Sequence, residues 1–170
     1  MDIIKIADKA DRLVRKYKTR DPFLLADYLH ITLIYRKFEK LKGCFLVNQR
    51  NAYIILNDSM EDHKKAWVLG HEIGHRILHY ADAVNLSKGI MTFSLYDKTT
   101  KPEREANLFA AELLVDDDVM TEYIYNNEFT AEQCDKAMCL HPSIISLKTE
   151  IMDKRGINVI RQEYDRNFLK

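Results

Sequence analysis

What the sequence has little of narrows its class before any motif is read. Five glycines and three prolines in 170 residues leave no room for a long flexible linker. Neither sign of charge is in excess, with 26 Lys and Arg against 26 Asp and Glu, so no global field draws the chain onto nucleic acid or an anionic membrane. Long apolar runs are missing too. The opening stretch MDIIKIADKADRLVRKYK interrupts its apolar residues with acids and bases, unlike a signal peptide, and no segment approaches the length of a membrane span. These absences point to a cytoplasmic protein with no membrane partner. Cysteine is scarce and odd in number: Cys44, Cys134 and Cys139, the last pair five apart rather than in a C-x-x-C spacing. Reduced, mostly buried thiols are expected, as in the cytosol.

What is present is ordinary for a globular chain: 46 % hydrophobic and 31 % charged residues, at a length that suits one domain spanning 1–170. Ile3, Ile6, Ala10, Leu13 and Tyr17 recur at helical spacing, and Asp21-Pro22 opens a second, short helix to about Leu29. Three strands are predicted at Thr32–Lys37, Lys42–Asn48 and Asn51–Asn57, the last two joined as a hairpin. Asp58 or Ser59 is expected to cap a long helix reaching about Tyr80, after which residues 81–101 show no period and read as a surface excursion. Helical pattern resumes from Pro102 to about Val115, and Asp116 to Asp118 read as a stop and a fresh cap. Two or three short helices follow to about Lys154. They are expected to pack on the rest of the chain from about residue 117 onward, or to dock a substrate. The fold class is therefore α+β, mainly helical, with a small three-stranded and largely antiparallel sheet.

The chemistry lies in Trp67-Val-Leu-Gly-His71-Glu72-Ile-Gly-His75-Arg-Ile-Leu-His79-Tyr80, which holds H-E-x-x-H inside a predicted helix. Four residues make slightly more than one turn, so the two imidazoles project from one side at a separation a single metal ion can bridge, with Glu72 beside them. On the helical wheel Leu69, Ile73 and Ile77 form a conventional core face, and His71, His75, His79 and Glu72 form a polar strip on another side, edged by Trp67, Val68 and Leu78. Gly70 and Gly74 each cost about 1 kcal/mol relative to alanine in a helix interior, which close approach of another backbone would offset. A catalytic zinc needs a third protein ligand and an open position. Glu103, Glu105 and Glu112 are the candidates on the next long helix. Glu103 falls within that helix's apolar arc, where a carboxylate is costly unless paired or metal-bound, whereas Glu105 and Glu112 fall on the edge away from it. Asn107, one turn on from Glu103, is placed to orient a ligand imidazole, as is His79 on the first helix.

Together, His71-Glu72-Ile-Gly-His75 with His79 behind it, and Glu103-Arg-Glu-Ala-Asn107-Leu-Phe-Ala-Ala-Glu-Leu-Leu, resemble the ImmA/IrrE-type metallopeptidases, bacterial and phage proteins of the gluzincin kind. The resemblance covers about residues 20–150, and the order of parts agrees. It implies Zn2+ as cofactor, His71, His75 and Glu103 as its ligands, and Glu72 as the catalytic base. It also implies a protein substrate, a transcriptional repressor of a mobile element or prophage. The family's proline after Leu-Leu is absent here, where Val115 precedes Asp116, Asp117 and Asp118. The group that stabilises the oxyanion stays open among His79, Tyr96 and the other tyrosines. Asn51–Asn57, leading into the metal helix, is the strand expected to hold an extended substrate at a sheet edge.

Two readings of another class compete with peptide hydrolysis. One is a metal-bound regulatory or interaction protein that cuts nothing. The other is DNA binding through residues 130–155, where Thr130 to Leu147 faintly suggest helix-turn-helix; few basic groups there could meet phosphates, so nucleic acid is not the expected partner. His30, His63 and His141 lack partner spacing and read as solvent-facing or capping residues.

Overall fold

A computed structural model describes residues 1–85, 90–92, 100–123, 131–138 and 142–157. The first helix, α1 (Ile3–Tyr17), is capped by Asp2, whose side chain accepts from the Ile4 N–H, and α2 (Pro22–Tyr28) is capped in the same way by Asp21. Three strands follow close to their predicted places: β1 (Ile31–Arg36), β2 (Gly43–Asn48) and β3 (Asn51–Asn57). Gln49 and Arg50, both at positive φ, form the tight turn between β2 and β3, the geometry a two-residue hairpin loop demands.

The fold is mainly helical α+β with a largely antiparallel sheet, as expected, and the sheet has one strand more than the three predicted. A short strand, β4 (Ile90–Thr92), adds a fourth member, and the order is β1-β3-β2-β4. β3 runs parallel to β1 and antiparallel to β2, so the sheet is mixed. β3 is consequently central, with both its hydrogen-bonding edges occupied, and the expectation that it holds an extended substrate is wrong. Its sequence carries the reason. Ala52, Ile54 and Leu56 are buried while Tyr53 and Ile55 are half-buried on the other face, the near-continuous apolar run of an interior strand rather than the alternation of an edge.

The helix bearing H-E-x-x-H, α3 (Asp62–Leu78), starts later than expected. Asp58 and Ser59 belong to a turn instead, organised by Asn57: its side-chain oxygen accepts from the Phe38 and Ser59 N–H groups and its amide donates to the Phe38 and Leu41 carbonyls. Glu61 takes the N-cap position without a side-chain cap bond. His79 interrupts the helix, and α4 (Tyr80–Asn85) begins one residue later, so the stretch read as an aperiodic excursion contains most of a six-residue helix and a three-residue strand. Both are too short to display a period.

After Thr100, whose hydroxyl accepts from the Glu103 N–H, comes α5 (Lys101–Leu114), then α6 (Asp117–Thr121) capped by Asp116, α7 (Ala131–Met138) and α8 (Pro142–Lys154). α5 is the hub. It packs against α3 on one side and against α1 and α8 on others, so every residue from Glu105 to Leu113 is buried. The expectation that Glu105 and Glu112 lie on an outward edge is therefore overturned: a helix covered on several sides has no outward edge there. Glu112 is matched by Lys148 of α8 at 2.8 Å and by Arg155 at 2.7 Å; Arg155 also pairs with Asp11 of α1 at 2.7 Å. Burial pushes the Glu112 carboxyl up, against the pull of Lys148 and Arg155. Cys44 is a buried thiol, as expected; burial, with the Glu72 carboxylate beside it, pushes it up to about 11. Cys134 and Cys139 fall outside the residues whose side chains are described.

α3 and α5 meet at glycine. A Cβ on Gly74 would lie 3.1 Å from both Cα and O of Ala106, whereas one on Gly70 would meet the Leu114 side chain at 3.2 Å. The backbone at Ala106 cannot yield without separating the helices; the Leu114 methyl can turn aside. Gly74→Ala should thus destabilise by about 1–2 kcal/mol, overpacking outweighing the gain in helix propensity, while Gly70→Ala stays close to wild type in urea unfolding. Lys148→Met, which leaves Glu112 buried with Arg155 alone, should cost about 3 kcal/mol by the same measurement.

Candidate metal centre

The helix contact at Gly74 places the first turn of α5 over the middle of α3. Thr100 and Pro102 set where α5 begins, and Glu103 in that first turn projects toward the histidine face of α3. His71 Nε2 lies 3.2 Å from one Glu103 oxygen, His75 Nε2 lies 3.3 Å from the other, and the two imidazole nitrogens are 3.0 Å apart. Among the described residues these three side chains form a group able to hold a metal ion. His71 and His75 are fully buried, while Glu103 keeps 17 % of its side chain exposed. Glu103 is thus less buried than Glu105 or Glu112, and its place among the histidines, not its burial, singles it out.

The donor set fits a small tetrahedral ion. Bonds of about 2.0–2.1 Å at tetrahedral angles separate neighbouring ligand atoms by roughly 3.3 Å, the spacing found here. The remaining ring nitrogens are also accounted for. His71 Nδ1 lies 2.8 Å from Asn107 Oδ1, an acceptor, so Nδ1 carries the proton and Nε2 turns its lone pair to the centre. Asn107 is thus in contact with one histidine of the pair. His79, also expected near the site, has its Nδ1 3.0 Å from His75 Nδ1. Its Nε2 is 3.0 Å from a carboxylate oxygen of Glu105. With both nitrogens engaged, His79 is not available to an oxyanion; Tyr96 lies outside the described residues.

The electrostatics agree. Burial works to raise the Glu103 carboxyl, yet the hydrogen bonds and charges of His71 and His75 outweigh it and hold it at about 2. Burial works to lower His71, but Glu103 and Glu72 outweigh it and His71 is raised. Burial lowers His75, and lowers His79 to about 4 with the help of His75. Glu72 is fully buried, one residue from His71 on α3.

Two residues escaped the sequence reading. Gly43, at the start of β2, faces Glu72: a Cβ there would stand 2.5 Å from Glu72 Oε1 and 2.6 Å from Val68 Cγ1. A lone glycine in a strand signals close approach, so the clue was present. Glu105 was discounted on the wheel, although a histidine set one turn beyond H-E-x-x-H raises the question of what holds it.

Residues 26–135 match the IrrE N-terminal-like domain of peptidase family M78. The chain belongs to this metallopeptidase family. It is also 37 % identical over 131 residues to "Uncharacterized immunity region protein 2" of Bacillus phage phi105, covering 76 % of this chain and 78 % of that protein. No helix among the described residues is long and apolar enough to cross a membrane.

Protons and metal compete for the same imidazoles. Because His71 is raised in the metal-free protein, its proton should begin to displace metal above the ordinary imidazole range. Apparent zinc affinity, read by competition with a chromophoric chelator, should therefore weaken as the pH falls, starting above the ordinary imidazole range.

Proposed function

We propose that this metallopeptidase is a zinc-dependent endopeptidase that cleaves a regulatory protein in the cytoplasm, the repressor of a mobile element or prophage. The observation that carries the catalytic part is the mutual spacing of His71 Nε2, His75 Nε2 and the Glu103 oxygens at 3.0–3.3 Å, with the other ring nitrogen of each histidine engaged elsewhere. Three protein ligands leave a position open for chemistry, the arrangement of a catalytic rather than a structural zinc. The phage immunity region named for the phi105 relative supports a repressor as substrate.

Zinc bound by His71, His75 and Glu103 would polarise the scissile carbonyl and make a water acidic enough to lose its proton near neutral pH. Glu72 takes that proton and later delivers it to the leaving amine, one carboxylate serving as base and then acid. Gly43 leaves the space that the fully buried Glu72 carboxylate occupies. Asn107 fixes the His71 ring through Nδ1. Gly43 also pairs with Thr92 of β4, and among the described residues β4 ends the sheet on that side. An extended substrate adds a strand along β4, beside Glu72, rather than along β3.

The helix-turn-helix reading loses ground to the packing of α8. Ile144, Ile145, Leu147 and Ile151 are buried, and so is Lys148, which leaves the helix little basic surface for phosphate contact.

Glu72→Gln should retain one zinc per chain and abolish cleavage. Incubating wild type and variant with candidate repressors and reading the products by mass spectrometry checks this: a single new terminus in wild type alone is expected. Cleavage undiminished in Glu72→Gln rejects the base, and zinc binding without any cleavage favours a non-proteolytic regulator.

A further inference from the structure

The chain of contacts behind His75 is unusual in that one imidazole rests on another. His75 Nδ1 and His79 Nδ1 are 3.0 Å apart, and His79 Nε2 is 3.0 Å from Glu105 Oε2. Glu105 is buried at 8 % exposure, His79 at 7 %, and the other Glu105 oxygen faces the Met1 amine. A carboxylate only accepts, so His79 must present its proton at Nε2. Neutral His79 then has a lone pair at Nδ1, which only a proton on His75 Nδ1 can satisfy, and the His75 lone pair is left at Nε2, aimed at the metal centre. If Glu105 did not hold that order, His79 could turn a proton toward His75 and pull the His75 lone pair away from the metal. His71 has its own fixing partner in Asn107, so each histidine is oriented by a separate device.

We infer that Glu105 and His79 form a relay of positioning residues that selects the metal-binding tautomer of His75. The relay rests on the metal site proposed above. It assigns to Glu105 a role distinct from that of Glu103 two residues earlier: one carboxylate meets the metal, the other orders the imidazoles behind it. Neither relay residue touches substrate or metal.

Two measurements test it. In zinc-loaded wild type labelled with 15N at the imidazoles, long-range 1H–15N correlation should show His79 protonated at Nε2 and bare at Nδ1, with His75 protonated at Nδ1; a protonated His79 Nδ1 overturns the relay. In chelator competition, His79→Leu should weaken zinc by about 10–100-fold, the range for an outer partner of a ligating histidine. His79→Gln, whose carbonyl can accept from His75 Nδ1, should recover most of that loss. Glu105→Ala should weaken binding less than His79→Leu, and the double variant should bind as His79→Leu does, because Glu105 acts only through His79. Additive losses, or no rescue by Gln, reduce the pair to packing and overturn the relay. Should a variant fail to fold by circular dichroism, the wild-type tautomers decide alone. Stoichiometric zinc with unchanged affinity in His79→Leu overturns the relay and leaves the metal site standing, whereas absence of zinc binding in wild type overturns both.

Discussion

The close approach of α3 and α5 at Gly74 and Ala106 is the constraint on which the site depends. With backbone atoms of Ala106 within 3.1 Å of where a side chain on Gly74 would begin, the two helices lie nearer than ordinary side chains permit. That proximity brings a carboxylate in the first turn of one helix within bonding range of two imidazoles on the other. Metal centres need donor atoms held to a few tenths of an ångström, and rigid helices in tight contact supply that better than loops.

Around this contact the protein spends its buried polar groups in two separate ways. On the α3 side of α5, Glu103 meets His71 and His75, Asn107 meets His71 from its other ring nitrogen, and Glu105 meets His79. On the far side, Glu112 meets Lys148 and Arg155 and ties α8, and through Asp11 also α1, to the same helix. One network is chemical and the other is a clamp that holds α5 in place from behind. Both come from one fourteen-residue helix whose faces point at different partners. A buried ion network is costly to desolvate, and its role here is best understood as fixing which helices surround α5.

The sheet contributes less mass than the helices but sets one wall of the site. β2 reaches Glu72 through Gly43, and among the described residues the mixed order β1-β3-β2-β4 leaves β4, not β3, at the edge beside it. In this member of the IrrE N-terminal-like family the candidate metal donors lie between two helices, and the buried Glu72 lies against a strand.

Read alone, the residues determined a good deal: the two long helices, three strands within a residue or so of their limits, the histidine pair with its neighbouring glutamate, and the next long helix as the one that brings Glu103 and Asn107 to those histidines. Those features are local or periodic, and H-E-x-x-H is itself a local geometry, one helical turn with both imidazoles on one side. What the tertiary structure decided was non-local. A helical wheel assumes one buried face, so it could not foresee that α5 is covered on several sides and that Glu105 and Glu112 are interior. Strand order depends on which edges meet, which β3's sequence hints at only through its apolar run, and β4 is too short to carry any pattern. The turn that delays the start of α3 depends on Asn57 reaching across to Phe38 and Leu41, a contact between segments that no window of neighbouring residues contains. Periodicity reports the environment of a helix or strand taken singly; the partners of a buried acid are settled only when several elements converge.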